Sequence, residues 1–102
     1  MQFVITAYDG KDPEALDRRM AVRQRHLENI LKVKETGSVL CAGGILDEAG
    51  RMIGSVLVMD FPTREALDAY LAGEPYVTGK VWQEIKIEPC NVVIMKDEKV
   101  GK

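Results

Sequence analysis

Two β-rich segments of this chain, Val39 to Leu46 and Gly54 to Phe61, are separated by only seven residues, the polar loop Asp47-Glu48-Ala49-Gly50-Arg51 followed by Met52-Ile53. A connection that short joins antiparallel neighbours, so the two segments form a hairpin. The segments on either side of this hairpin are each reached through a helical stretch. Phe3 to Tyr8 is a first strand, ended by the turn pair Asp9-Gly10. Asp12-Pro13-Glu14 then opens a long helix. Asp12 is placed to cap the free amides, Pro13 suits the first helical position, and Glu14 faces the positive end of the dipole. The helix runs to about Glu35, and Gly37 supplies a left-handed stop. Pro62-Thr63 opens a second helix, with Thr63 as its cap and Ala66, Leu67, Tyr70 and Leu71 on its buried face. Gly73-Glu74-Pro75-Tyr76 breaks it. Val81 to Glu88 is a last strand, with Val81, Gln83, Ile85 and Ile87 facing one way and Trp82, Glu84, Lys86 and Glu88 the other. Cys90 to Met95 is read as a short edge strand or an exchanged one.

The order strand, helix, strand, strand, helix, strand predicts an α+β, ferredoxin-like βαββαβ fold, an antiparallel sheet with two helices on one face. Both phases of the inner strands are apolar: Val39 and Cys41 against Leu40 and Ala42, and Val56 and Val58 against Leu57 and Met59. A sheet apolar on both sides needs cover on both sides. Sheet-to-sheet pairing into a homodimer is the economical solution. With 102 residues, a single domain over residues 1–95 is expected, followed by a polar tail over 96–102.

Charge and composition narrow the partners. A net charge of −2 with no basic patch argues against nucleic acid. No apolar run approaches the roughly 18 residues that span a bilayer, and the first residues read as a strand rather than a signal peptide. No membrane association is therefore expected. Cys41 and Cys90 lie far apart and, with one histidine, make no metal-ligand set. They read as small buried apolar residues of a reduced, cytoplasmic protein. No metal or other cofactor is expected.

That one histidine, His26, is the natural candidate for proton transfer near neutral pH. On a helical wheel Leu16, Met20, Leu27, Ile30 and Leu31 form the apolar stripe. His26 falls about 40° outside the border marked by Ile30, and Arg23 falls within the arc. Arg19 lies on the same side. An arginine in an apolar stripe must pair or reach a polar cavity, so the Arg23–His26 cluster points to a polar pocket where this helix meets the sheet. The alternative is structural: a histidine bonded to a nearby carbonyl and an arginine in an ion pair.

Several segments together resemble the YciI-like (YCII-related) family over nearly the whole chain, to about Pro89. They are Arg23-Gln24-Arg25-His26-Leu27, like the family's Arg-x-x-His-Leu; Gly37 followed by Val39 to Gly43; Gly54-Ser55 at the head of a strand; and Glu74-Pro75-Tyr76-Val77-Thr78-Gly79-Lys80-Val81. The resemblance implies a ferredoxin-like dimer of the dimeric α+β barrel group. It also implies a His–Asp pair at an active site, and a dehydrochlorinase of a chlorinated hydroxyhydroquinone among the relatives. Here the acid is Glu74, one methylene longer than the usual Asp, and Gly43-Gly44 lacks the family's proline after glycine.

On that basis His26 and Glu74 are the expected catalytic pair of a small cofactor-independent enzyme. Such a pair supports proton abstraction, isomerisation or elimination. Arg23, Ser55 and Tyr76 would bind a small anionic or phenolic substrate, Arg23 by stabilising an anionic oxygen. A non-catalytic module that binds a small anionic metabolite is the competing reading, and a cofactor-free oxygenase stays open on this fold.

Overall fold

A computed structural model describes residues 1–95; the tail expected over 96–102 lies outside the described residues. The elements are β1 (Gln2–Asp9), α1 (Ala15–Glu35), β2 (Val39–Leu46), β3 (Met52–Asp60), α2 (Arg64–Ala72), α3 (Pro75–Thr78) and β4 (Trp82–Cys90). The strands form one antiparallel sheet in the order β2-β3-β1-β4. This is the ferredoxin-like α+β arrangement that the chain order predicts, with α3 as an added turn of helix where a break is expected.

The sheet is two-faced because side chains alternate along each strand. Phe3, Ile5 and Ala7 of β1 lie opposite Met59, Leu57 and Ser55 of β3, and all are buried under the helices. Val22 and Ile30 of α1, Leu67 and Leu71 of α2, Tyr76 of α3, and Val81 and Trp82 complete the core. Val4, Thr6, Val56 and Val58 alternate onto the other face, which the helices leave uncovered. Gly54 is required for the pairing: a Cβ there would sit 2.5 Å from the Ala7 carbonyl oxygen.

Helix boundaries follow local chemistry. Gly37 has φ +83° just past α1, and Lys32 and Lys34 in its last turn complement the dipole. The Thr63 side chain accepts from the Ala66 amide, capping α2. At the start of α1 the Asp12 carboxylate holds Arg18 at 2.8 and 3.0 Å and does not cap. The first helical residue is therefore Ala15, whose amide reaches the Asp12 carbonyl at 3.1 Å.

Four other expectations are corrected. The inward line of α1 is Ala15, Arg19, Val22, His26 and Ile30, while Leu16, Met20 and Leu31 are exposed and Leu27 is half-buried. Hydrophobic pattern misplaces this face because Arg19 and His26 each find a buried carboxylate and so become buriable. Val81 and Trp82 are both buried because the β1–β4 register shifts at Tyr8/Asp9, which defeats simple alternation. Cys41 is exposed and Cys90 intermediate, since both lie on edge strands. Residues 91–94 form no strand, although the Val92 amide bonds the Gln2 side chain at 2.7 Å.

Candidate active site

A cleft of about 470 Å³ lies between α1 and the β2–β3 hairpin, within the size range of small-molecule sites. Its polar lining comes from Arg19, Arg23, His26, Lys34, Ser55 and Tyr76, and its apolar wall from residues such as Leu27, Ile30, Leu57 and Val39. Lining from β2 includes Ala42, Gly43 and Gly44, which leave room beside the arginines. The five residues named from sequence reach this cleft directly, except Glu74, which lies behind His26.

Glu74 is fully buried at 0% exposure. It ends the short link after α2 and caps α3, its Oε1 accepting from the Tyr76 amide at 3.1 Å. The same oxygen lies 2.5 Å from His26 Nδ1. Its Oε2 accepts from the Tyr70 hydroxyl at 2.5 Å. Tyr70 is four residues earlier, one helical turn back. An ionised carboxylate can only accept, so Nδ1 carries the hydrogen and the lone pair of this tautomer sits on Nε2. Among the described residues Nε2 has no hydrogen-bond partner, and it is not one of the fully occluded unpaired atoms. The basic nitrogen therefore opens on the cleft.

The imidazole is held from the sides as well. The Tyr76 ring stacks on it at 3.9 Å between centroids and 10° between planes, and the Trp82 ring meets it edge-on at 6.1 Å. Burial pushes the phenols of Tyr70 and Tyr76 above their ordinary range; the Glu74 charge adds to this at Tyr70, and Arg19 and Arg23 oppose it at Tyr76. Both phenols stay protonated at neutral pH.

A second polar cluster borders the first. Arg19, 3% exposed, makes a paired contact to Asp9 at 2.9 and 3.0 Å and reaches Ser55 Oγ at 2.9 Å. Its guanidinium carbon lies 4.6 Å from the Tyr76 ring centroid. Trp82 Nε1 donates to the same Ser55 Oγ at 3.1 Å. Burial pushes the Asp9 carboxyl upward, and Arg19 pulls it the other way. Arg23 differs from Arg19: it is half-buried on the cleft wall, and no carboxylate among the described residues lies within ion-pair distance. No metal-competent group of three or more His, Cys, Asp or Glu side chains occurs among the described residues. None of their helices is long and apolar enough to cross a membrane.

Sequence reading did not assign roles to Asp9, Arg19, Tyr70 and Trp82. Spacing offered two usable signals. Arg19 and His26 are seven residues apart on one helix face, and Tyr70 and Glu74 are four apart. Asp9 and Trp82 meet only through the sheet.

Comparison with known proteins agrees with this fold. The model of the YCII-related domain matches residues 1–91. The chain is 30% identical over 99 residues to protein YciI of Escherichia coli O6:H1, covering 91% of this chain and 99% of that one. It is 32% identical over 100 residues to an uncharacterized protein of Haemophilus influenzae, with the same coverage of 91% and 99%. Among solved structures it resembles 5-chloro-2-hydroxyhydroquinone dehydrochlorinase from Burkholderia phenoliruptrix AC1100, crystallised with 2,5-dihydroxybenzoquinone. The TM-score is 0.77 at 20% identity, over 88% of this chain and 93% of that one. An antibiotic biosynthesis monooxygenase aligns with a TM-score of 0.52 at 24% identity, over 92% and 100%. At these identities the two structures speak for the fold alone.

Proposed function

This chain belongs to the YCII-related domain family, and we propose that it is a cofactor-independent acid–base enzyme acting on a small anionic or phenolic molecule. The observation that carries this is the 2.5 Å contact between a fully buried Glu74 and Nδ1 of a histidine whose other nitrogen opens on a cleft. A carboxylate that fixes the tautomer and orientation of an imidazole is the arrangement general-base catalysis requires.

In this reading His26 Nε2 takes a proton from a carbon next to a carbonyl or its enol. The C–H electron pair moves toward the oxygen, giving an enolate. Arg23, which faces the cleft and which no carboxylate among the described residues holds within ion-pair distance, stabilises that developing charge. Two outcomes follow. The imidazolium returns the proton to a different carbon, which is isomerisation. Alternatively the electron pair expels an anionic group from the neighbouring carbon and the imidazolium keeps the proton, a net loss of HX. Acid–base catalysis of this kind typically contributes about 10²–10⁴-fold. Tyr76 contributes a protonated hydroxyl, and Ser55 a further polar contact.

We also infer that the protein pairs with a second copy through the uncovered sheet face. Val56 and Tyr8 on that face are 37% and 41% exposed, and Val4 and Val58 flank them. A cytoplasmic location fits this reading and its reduced thiols.

The test uses deuterium oxide and NMR. The protein is incubated with 2,5-dihydroxybenzoquinone and with 5-chloro-2-hydroxyhydroquinone, and carbon-bound hydrogen exchange and chloride release are followed. Wild type should accelerate exchange or release, and His26→Ala should lose that acceleration while binding the same compounds with similar affinity. Binding without exchange or release in wild type would favour the non-catalytic module. Equal acceleration by His26→Ala would remove His26 as the base.

A further inference from the structure

The Ser55 hydroxyl is a donor with no choice. A serine oxygen has two lone pairs and one hydrogen. One lone pair accepts from Arg19 Nη2 at 2.9 Å and the other from Trp82 Nε1 at 3.1 Å. Guanidinium and indole N–H groups only donate, so neither can receive the serine hydrogen. Among the described residues Ser55 Oγ donates to no acceptor. Ser55 itself is 3% exposed and lines the cleft. Its hydrogen is therefore aimed at whatever occupies that cleft.

We propose that Ser55, fixed by Arg19 and Trp82, is the specificity-determining contact of the site and selects ligands that place a carbonyl or anionic oxygen against its hydroxyl. The claim rests on the cleft being the substrate site, as proposed above. The surroundings sharpen it. Asp9 holds Arg19 with both carboxylate oxygens, so the guanidinium cannot swing away to meet the ligand itself. Its charge acts through Ser55, because accepting from a cation polarises the O–H and strengthens it as a donor. Trp82 prevents the alternative in which the serine turns to accept from a ligand N–H. A ligand that presents a donor there would leave two hydrogens facing each other in a desolvated corner. Arg19, Asp9 and Trp82 are positioning residues in this scheme, and of these four Ser55 is the one that makes the hydrogen bond to the ligand. Gly54 sets the strand close enough to β1 for this, since any Cβ would strike the Ala7 carbonyl at 2.5 Å.

The chain has a single tryptophan, so the Trp82 indole N–H is an unambiguous NMR reporter bonded to the serine in question. The probes are benzoate, which presents only acceptor oxygens, and benzylammonium, which presents only donors. In wild type benzoate should shift the Trp82 indole signal, and Ser55→Ala should weaken benzoate about 10- to 100-fold, the loss of a charge-assisted hydrogen bond. Benzylammonium should bind Ser55→Ala no more weakly than wild type, because the substitution removes the hydrogen that opposes a donor; the Arg23 charge is common to both variants and cancels in each comparison. Benzoate binding unchanged by Ser55→Ala, or no benzoate effect on Trp82, would overturn the proposal. Where Ser55→Ala does not fold, wild-type crystals soaked in benzoate decide. A carboxylate oxygen about 2.7 Å from Ser55 Oγ supports the assignment, and a carboxylate seated elsewhere in the cleft refutes it. In wild type, Ser55-dependent binding without exchange or chloride release marks failure of the catalytic reading alone, and exchange with Ser55-independent binding marks failure of this one.

Discussion

Glu74→Asp removes one methylene from the carboxylate that holds His26, and the geometry fixes what should follow. Glu74 is 0% exposed and lies 2.5 Å from His26 Nδ1. Withdrawing the carboxylate by a bond length of about 1.5 Å opens that contact to about 4 Å, beyond hydrogen-bond range. The backbone cannot follow. Tyr76 is 1% exposed and stacked on the imidazole, and a Cβ at Gly79 would meet Val22 at 3.3 Å, so α3 already presses on α1. The cap on the Tyr76 amide survives, because aspartate caps well. Tyr70 is half-buried, and water can replace its bond. The expected loss is one hydrogen bond to a charged group, about 1.5–3 kcal/mol, and one buried methylene, about 0.8 kcal/mol. Together they come to about 2–4 kcal/mol, or a fall in Tm on the order of 10–25 °C. Urea denaturation at neutral pH measures the first quantity. Because His26 is the only histidine, its ring ¹⁵N shifts report the tautomer without ambiguity: Nδ1-protonated in wild type, mixed in the variant. A loss under about 0.5 kcal/mol with the tautomer unchanged would refute the reasoning.

Gly54→Ala places a methyl group against the Ala7 carbonyl at 2.5 Å and should destabilise by about 1–3 kcal/mol through overpacking, read as a lower urea midpoint; an unchanged midpoint would mean that β1 and β3 are less tightly apposed. The Asp12 carboxyl is held down to about 2 by its hydrogen bonds from Arg18, a folded value below its ordinary one. Its contribution is therefore complete above a pH of about 3.9 and is lost as the pH falls toward 2. The stability difference between wild type and Asp12→Asn should accordingly shrink between those limits in urea titrations, and a difference that grows on acidification would contradict the assignment.

Much of the fold is legible because its signals are local. The five-residue hairpin loop, the Thr63 cap and the left-handed Gly37 each act within a few residues, and the order of elements then leaves few topologies. The pair His26–Glu74 was reached through resemblance, not through pattern, because nothing in the spacing of residues 48 apart announces a contact. Pattern failed where polar groups are buried. Arg19 and His26 occupy the inward line of α1, while Leu16, Met20 and Leu31 face out. A wheel ranks residues by their affinity for water and has no knowledge of Asp9 or Glu74. Simple alternation puts Trp82 on the wrong face for a related reason: the register shift at Tyr8/Asp9 is a property of two strands together.

The buried line of α1 explains why site and fold are hard to separate here. The polar side chains on it are bonded from other elements: Arg19 by Asp9 at the end of β1 and Ser55 in β3, His26 by Glu74 at the start of α3, while Arg19 Nε has no partner among the described residues. Ser55 and Glu74 lie 36 and 48 residues away, so the two residues gain these partners only when β3 and α3 have packed against α1. An unpaired charge or imidazole left inside would oppose folding. The same contacts that make α1 buriable also set the tautomer of His26 and the direction of the Ser55 hydrogen. Substitutions behind the cleft, at Asp9, Glu74 or Trp82, should therefore disturb stability and ligand preference together. Substitution at Arg23, which no carboxylate among the described residues holds within ion-pair distance, should disturb ligand binding and spare the fold.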